Sequence, residues 1–474
     1  MLEYVSPLSE RYASSEMQSI FSYINKFRIW RRLWIVLAES EMELGLPITK
    51  SQVDELKSHE FDVNIDVARK REKITKHDVM AHVYAYGQQC PTASGIIHLG
   101  ATSCYVTDNA DIIIYKDALN LTHKKLVDII KILSNMCRHY RYTPTLGYTH
   151  LQPAQPTTVG KRMCMWLADM CTDLQDIEYI MQDIKLLGSK GATGTQASFL
   201  ELFNGDTSKV RELDNKIAKK LGFDKCYTIS GQTYSRKLDS RIGNVLAGVA
   251  QTMYKMSNDI RLLQHMGEVE EPFGEGQIGS SAMAYKRNPM KCERIASLSR
   301  YVIINSLNPA MNMASQWLER TLDDSANKRL SMAELFLTLD GILDIAMDVL
   351  DGLNVYNVII NKHLNEKLPF MATENIIMDM VKSGGDRQEI HEKIRQISMQ
   401  AIQDMRDGKD VDMMERLSAE FNLSDDILNP QNYIGLAGQQ VERFLEETVK
   451  PILIREYKND DIKDSTKLSG GTLW

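Results

Sequence analysis

Four long segments of this sequence place apolar residues at alternating spacings of three and four, and this pattern constrains the fold more than any other feature. The segments span residues 112–136, 163–184, 242–263 and 332–353. Only Thr122 interrupts the first of them with a polar side chain. Because such spacing lines one side of an α-helix with apolar groups, the sequence predicts a bundle of long helices that cross at shallow angles.

The length of the chain predicts more than this bundle. A chain of 474 residues is long for one domain. We therefore expect an all-α protein with an N-terminal helical domain at 1–110, a central long-helix domain at 111–363 and a C-terminal helical domain with a polar tail at 364–474. We call the apolar side of each of the four segments a seam. Methionines in the seams are expected to be core residues, and some seams are expected to face another subunit.

Composition excludes several classes of function. The formal net charge is only -7, from 56 Lys and Arg against 63 Asp and Glu, so no overall basic field predicts a nucleic-acid or membrane partner. No apolar run approaches membrane-spanning length, and the first residues do not resemble a targeting signal, so we expect a cytoplasmic protein. The seven cysteines are scattered without a CxxC pair, which predicts reduced thiols and neither a metal nor a cofactor.

A polar segment at 274–293 follows the third seam and carries chemically useful side chains. Glycines open it, and then come Ser280, Lys286, Asn288 and Glu293. Hydroxyl, ammonium and amide groups in a flexible backbone suit a loop that closes over an anion. The residue types alone fit a polar turn between two helices equally well.

Other polar segments between the predicted helices are ambiguous in the same way. His77 lies between a lysine and an aspartate. His150 lies in a proline-containing segment, and we interpret this segment as a loop. Each of these segments, taken alone, also fits a solvated surface or a structural role.

The order of these segments resembles a known family. The run Gly279-Ser280-Ser281-Ala282-Met283, with Lys286, Asn288 and Glu293, resembles the signature loop of the fumarase/aspartase superfamily. Within that superfamily the motifs at 9–12, 76–78, 98–103, 149–155 and 285–289 are similar to those of the adenylosuccinate lyase family. The match runs from about Arg11 to Arg329. Ala284 departs from it, because the superfamily usually has proline there, and we expect a looser loop.

This resemblance implies a fold and a reaction. The fold would be three mostly helical domains, with the central bundles of four chains forming a twenty-helix homotetramer core and active sites built from three subunits. The reaction would be a general acid-base β-elimination in purine biosynthesis, cleaving adenylosuccinate to AMP and fumarate. The family also cleaves succinyl-aminoimidazole-carboxamide ribotide (SAICAR) to AICAR and fumarate.

The resemblance also implies roles for individual residues. Ser280 would be the base, His150 the acid, His77 its assistant, and Lys286 a stabiliser of the developing negative charge. Arg11, Tyr12, Arg320 and Arg329 would hold the nucleotide end. The full set of implied substrate-binding residues is Arg11, Tyr12, Lys76, Asp78, Thr102, Ser103, Thr149, Gln232, Asn288, Arg294, Arg320, Ser325 and Arg329.

Two other interpretations remain open. The chain could be another lyase of the superfamily, acting on argininosuccinate, aspartate or malate, but these substrates need no phosphate site like the one implied at Arg11 and 320–329. It could also be a structural relative that has lost the reaction, although Ser280, His150 and His77 are all present. A serine hydrolase is disfavoured because the sequence lacks a Gly-x-Ser-x-Gly elbow around its paired serines.

Overall fold

The computed structural model describes residues 4–421, 423, 426, 427 and 429–457. The polar tail from 458 onwards lies outside them. Of the described helices, none combines the length and the apolar character needed to cross a membrane.

The N-terminal region is built from helices joined by short turns. A π-helical turn at Leu8–Tyr12 precedes them, and a 3-10 turn at Ser94–Ile96 follows them. These helices are α1 (Ser15–Ile20), α2 (Tyr23–Glu43), α3 (Lys50–Ser58), α4 (Ile65–Thr75) and α5 (Asp78–Gln89).

The central region contains the long helices, and the four seams predicted from the sequence are confirmed as α6, α7, α10 and α13. Its elements are α6 (Ser103–His139), β1 (Pro144–Thr149), β2 (Gln152–Thr158), α7 (Val159–Asp183), α8 (Ala197–Leu202), α9 (Thr207–Lys220), α10 (Lys237–His265), β3 (Val269–Glu270), α11 (Met290–Asn305), α12 (Leu307–Ala314), α13 (Asp324–Asp351) and β4 (Asn354–Val355). Thr122, the polar interruption, is buried in α6 and donates its hydroxyl to the Ala118 carbonyl at 2.9 Å.

The C-terminal region is again helical. Its helices are α14 (Asn357–Met371), α15 (Thr373–Lys382), α16 (Arg387–Arg406), α17 (Met413–Glu420), α18 (Ala437–Phe444) and α19 (Lys450–Glu456). Short turns at Pro430–Tyr433 and Leu445–Val449 flank α18.

Two hydrophobic clusters hold these elements. The larger one joins the N-terminal helices, the central bundle and the last helices, with Trp34, Leu246 and Leu453 among its members. The smaller one lies within the C-terminal region between Ala372 and Ile427. The predicted domain boundaries at 110 and 363 stay predictions.

The bundle contains a fifth long segment that the sequence analysis did not identify. Helix α11 packs between α10 and α13, and the chain continues through Ser306 into α12. Its buried side includes Ile295, Val302 and also Ser299. This serine interrupts the apolar spacing on a helix of only 16 residues, which explains why the pattern gave no signal.

The segment around His150 is a β-hairpin, so its interpretation as a loop was wrong. Strands β1 and β2 pair antiparallel, with Tyr148 opposite Pro153. His150 and Leu151 form the turn with φ of 53° and 58°. Each strand of a two-stranded ribbon has a free edge, so prolines that would break the ladder of a larger sheet are tolerated here.

A buried acid in α2 makes stability depend on pH. Both carboxyl oxygens of Glu41 are buried and have no hydrogen-bond partner among the described residues. Burial raises the pKa of Glu41 from 4.5 to about 9. The native protein therefore retains a proton that the unfolded chain releases. The contribution of this group to stability is full below pH 4.5, falls as the pH rises, and is lost near pH 9.

Replacement of this acid by its neutral isostere is expected to remove that pH dependence. Between pH 5 and 8, the unfolding free energy of Glu41→Gln should rise relative to wild type by up to about 1.4 kcal/mol per pH unit. Urea denaturation at four pH values measures the difference. Glu43→Gln is the matched control, because Lys216 and Lys220 lower the pKa of Glu43 and its contribution is constant over this range. If the difference in unfolding free energy between Glu41→Gln and wild type does not change with pH, Glu41 is not a neutral buried acid.

Candidate active site

His77 lies at a junction of helices that the sequence could not reveal. It caps the N-terminus of α5, where its Nδ1 accepts the N–H of Met80 at 3.3 Å. Its Nε2 lies 3.3 Å from the hydroxyl of Ser103 at the start of α6. Because Nδ1 accepts a hydrogen bond in this arrangement, the neutral ring carries its own proton on Nε2. The imidazole is thereby held in one orientation and one tautomer.

Three charged residues, Lys76, Asp78 and Arg329, extend this junction, and together with His77 and Ser103 we call them the His77 cluster. Asp78 lies 3.4 Å from the guanidinium of Arg329 on α13. Arg329 is largely exposed, so most of its donors are available to a ligand. Lys76 is exposed beside His77 at the left-handed end of α4, with φ of 53°. The cluster thus presents two cations and an imidazole on one surface.

Gln232 joins the segments that precede α10 and α13. Its backbone N–H donates to the carbonyl of Glu319 at 3.1 Å, and its side-chain oxygen accepts the thiol of Cys104 at 3.5 Å. The neighbouring Gly231 lies so close to Glu319 that an added Cβ would be 2.4 Å from that carbonyl. A glycine is therefore required for Gln232 to reach the start of α6, where Thr102 and Ser103 lie.

A buried ionic network orients Arg320 next to this surface. Arg236 bridges Asp108 and Asp324 at 2.6 Å each, and Arg320 bonds the second oxygen of Asp324 at 2.8 Å. Burial by itself would raise the pKa of Asp324, but the two arginines outweigh it and lower that pKa. Asp324 therefore stays charged and holds Arg320, whose remaining donors can bind an anion. Ser325 follows Asp324 in the first turn of α13 and is partly exposed.

His98, which belongs to the motif at 98–103 but not to the expected site residues, lies close to His77. Its Nδ1 accepts the indole N–H of Trp34 at 2.9 Å, and its φ of 68° is unusual for a non-glycine residue. Burial, with a smaller contribution from nearby His77, lowers the pKa of His98 to about 4. The ring is therefore neutral at physiological pH with a donor on Nε2. The sequence signal for His98 was its position in a glycine-bounded segment close to Thr102.

The signature loop folds back on itself around Ser280. The Ser280 hydroxyl oxygen accepts the N–H of Met283 at 3.1 Å. Asn288 donates its amide to the carbonyl of Gly279 at 2.9 Å. A Cβ at Gly279 would lie 2.1 Å from the carbonyl of Lys286, so glycine permits this closure. The structure thus brings the backbone of Lys286 and the side chain of Asn288 to Gly279, the residue before Ser280. An N–H donor points at the serine oxygen, where it would stabilise an oxyanion.

Two further groups of expected residues stand apart. His150 and Thr149 are exposed at the tip of the hairpin, where His150 makes no hydrogen bond to a described residue of its own chain. Arg294 lies 6.0 Å from the ring centre of Tyr12. Arg11, the neighbour of Tyr12, is exposed. A second cationic surface therefore lies beside the middle of α13, where Tyr12 packs on the backbone at 341.

One chain does not bring all of these groups into a single pocket. Helix α6 has 37 residues and thus a length of about 55 Å, with the His77 cluster at its start and the His150 hairpin after its end. Helix α10 runs from the Gln232 segment to the hairpin end, where His265 and Tyr148 line one cleft. His77 and His150 of the same chain are therefore too far apart to act on one small molecule.

One surface group has potential metal ligands. His123, Glu178 and Glu456 place ligand atoms within 4.8 Å of one another. Arg455 already pairs with Glu178, and His123 lies 3.1 Å from the same carboxylate. This arrangement is an ion-pair network remote from the groups above. The absence of a metal or cofactor from the reaction stays a prediction.

Comparison with known families matches most of the chain. The family described as "Lyase" matches residues 24–303, and the family described as "Adenylosuccinate lyase C-terminus" matches residues 369–444. The chain is similar to adenylosuccinate lyase of Saccharomyces cerevisiae, with 47% identity over 97% of this chain and 98% of the relative. It is 49% identical to the Schizosaccharomyces pombe enzyme of the same name, over 95% of each chain.

Solved structures share the fold. A fumarate lyase from Mesorhizobium sp. BNC1 superposes with a TM-score of 0.80 at 24% identity, covering 92% of this chain and 99% of the other. A 3-carboxy-cis,cis-muconate lactonizing enzyme from Pseudomonas putida gives 0.82 at 23% identity, covering 94% and 99%. The long-helix architecture is thus shared by proteins whose names describe different reactions, so the fold alone does not select one.

Proposed function

This chain belongs to the adenylosuccinate lyase family, and from that membership we propose that it cleaves adenylosuccinate to AMP and fumarate in purine biosynthesis. We extend the proposal to SAICAR, which would give AICAR and fumarate. The observation that carries it is identity close to one half along nearly the whole chain. The reacting side chains expected of such a lyase are all present.

We propose that Ser280 removes the proton from the carbon next to a carboxylate of the succinyl group. Serine is a weak base, so its oxyanion needs fixed donors in a site without water. The N–H of Met283 supplies one such donor at 3.1 Å. Lys286 and Asn288 lie in the same folded loop and would stabilise the carboxylate charge that develops as the proton leaves.

In the same proposal, His150 protonates the departing nitrogen of the nucleotide base. His77 would position the substrate and assist this acid through its oriented Nε2–H. The substrate carries a phosphate and two carboxylates, so several cations must surround it. The candidates on the two cationic surfaces and the loop are Arg11, Lys76, Lys286, Arg294, Arg320 and Arg329.

We further propose that the site is shared between subunits of a homotetramer. Because α6 is about 55 Å long, with His77 at its start and the His150 hairpin after its end, a site that contains both residues must take them from different chains. The five helical segments of the central bundle, with α11 and α12 counted as one, would supply twenty in a tetramer. Large apolar side chains such as Trp317 and Leu318, 73% and 96% exposed, support an interface that covers them.

A cytoplasmic location is part of the proposal. All seven cysteines are free thiols, and a reducing compartment maintains that state. Another lyase of the superfamily remains the second candidate.

Activity of the purified protein on adenylosuccinate decides between these candidates. We expect equal amounts of AMP and fumarate, separated by chromatography, with kcat/KM at least about 1,000-fold higher than for argininosuccinate, aspartate or malate, because unpaired phosphate-binding cations penalise those substrates. Turnover of argininosuccinate without turnover of adenylosuccinate would contradict the proposal.

A further inference from the structure

The two ends of the signature loop are fastened to each other by a buried glutamate. Glu271, which follows β3 and lies three residues before the segment at 274–293, is 2% exposed. One of its carboxylate oxygens accepts the N–H of Lys291 at 2.9 Å, and the other accepts the N–H of Cys292 at 3.0 Å. These N–H groups belong to the first turn of α11, where they have no partner within the helix. One side chain therefore joins the residue before the loop to the helix after it.

Gln264, in the last turn of α10, adds a second connection between the same ends. Its side-chain oxygen accepts the backbone N–H of Glu271 at 3.1 Å, and its side-chain nitrogen donates to the carbonyl of Arg287 at 3.3 Å. The ammonium of Lys291 also donates to the carbonyl of Pro272 at 3.1 Å. We call Glu271, Gln264 and Lys291 the loop clamp.

Glu271 is the dominant member of this clamp. An exposed ion pair also joins the two ends, between Glu270 and Arg287 at 3.1 Å, but the arginine is 54% exposed and such pairs contribute little. The N–H of Cys292 and the Glu271 carboxylate are instead shielded from water. Loss of a buried acceptor leaves its donors unsatisfied, which costs more than loss of a surface pair.

The clamp is connected to Ser280 through a short chain of contacts. Glu271 fixes the first turn of α11, and Asn288 lies immediately before the proline that begins this turn. Asn288 in turn holds the carbonyl of Gly279, the residue before Ser280. Residues 280–287 between these fastened points are exposed or half-exposed. The two ends of the loop are thus fixed, whereas its tip at 280–287 is exposed or half-exposed.

We propose that Glu271 is a positioning residue for the elimination reaction: it fixes the base of the loop so that Asn288 presents Ser280 in one geometry. This inference rests on the proposed role of Ser280 as the base. Glu271 does not touch the reacting atoms, and its effect passes through α11 and Asn288. A displacement of the Ser280 oxygen by about 1 Å can cost about 100-fold in rate.

Glu271→Gln tests the role of the clamp. Glutamine has one acceptor oxygen, so its amide group would face one of the two N–H donors that the carboxylate now satisfies. We expect kcat to fall about 10-fold to 100-fold, with KM within about threefold, because the residues proposed for the nucleotide end, Arg11, Tyr12, Arg320 and Arg329, lie outside the loop. Trypsin cleavage after the exposed Lys286 and Arg287, mapped by mass spectrometry, should accelerate about tenfold.

Asp206→Ala is the control for the loss of a helix cap. Asp206 accepts the N–H groups of Ser208 and Lys209 at the start of α9, remote from the loop. Alanine has no acceptor for these N–H groups, so α9 loses its side-chain cap, and we expect lower thermal stability with unchanged kcat and unchanged cleavage of the loop. If Glu271→Gln behaves like this control, Glu271 is only a stabilising cap and the proposal is wrong.

Gln264→Ala is the milder second variant if Glu271→Gln does not fold. It removes both Gln264 connections and should show the same pattern with a smaller fall in kcat, and no change in kcat or cleavage would overturn the clamp. An inactive wild-type protein would contradict the proposed function instead. In that event the proteolysis comparison still judges the clamp, since it needs no substrate.

Discussion

Ser280→Ala is expected to lower kcat for fumarate release from adenylosuccinate by about 1,000-fold or more, because it removes the proposed base from the reaction. The helical content should not change. Ser280 is partly exposed on a loop, and within the described part of the chain its hydroxyl oxygen accepts only local hydrogen bonds, from the N–H groups of Ala282 and Met283. Fumarate release and circular dichroism of the same preparations measure the two quantities.

Ser281→Ala separates the two adjacent serines. Both variants remove one hydroxyl from the same exposed loop, so a general disturbance of the loop would affect them alike. Only Ser280 has an oxygen that accepts the N–H groups within the turn, and we expect Ser281→Ala to retain activity within about tenfold. Full activity of Ser280→Ala, or the reverse order of the two variants, would refute the assignment of the base.

A mixture of two inactive variants is expected to recover activity if the site is shared. We expect His77→Gln and His150→Gln to have each less than about 1% of wild-type kcat. After joint denaturation and refolding in equal amounts, random assembly gives an intact residue of both kinds to about one quarter of the sites in a symmetric oligomer. The recovered activity should therefore approach about one quarter of wild type.

The matched control uses a chain with both substitutions. A mixture of this double variant with His150→Gln contains no intact His150, so it should stay inactive after the same treatment. Native mass spectrometry with one isotope-labelled variant verifies that subunits exchange. Verified exchange without recovery in the first mixture would mean that no site combines His77 and His150 of different chains, and shared sites would be rejected.

The spacing of apolar residues predicted the long helices because helical periodicity is a local property. The segments at 112–136 and 242–263 lie inside α6 and α10. The same rule missed α11, whose seam includes the buried Ser299. It also gave no sign of the β1 and β2 hairpin, since prolines suggest a loop unless the partner strand is known.

The candidate residues came from motif resemblance, and spacing along the chain would not have grouped them. His77 meets Ser103 across 26 positions, and Asp78 meets Arg329 across 251. Glu271 and Gln264 were absent from the prediction because each looks like an ordinary polar residue near a helix end. Their importance depends on which N–H and carbonyl groups lie opposite them.

The sequence by itself determined the helical class, the order of the long helices and the set of chemically able side chains, because periodicity and residue type are properties of neighbouring positions. Only the tertiary structure decided which helix ends meet and which residues share a surface. It placed His77 and His150 at opposite ends of α6 and fastened the loop that carries Ser280 at its base. Such contacts depend on packing between segments that are distant in sequence, and periodicity within one segment contains no information about them.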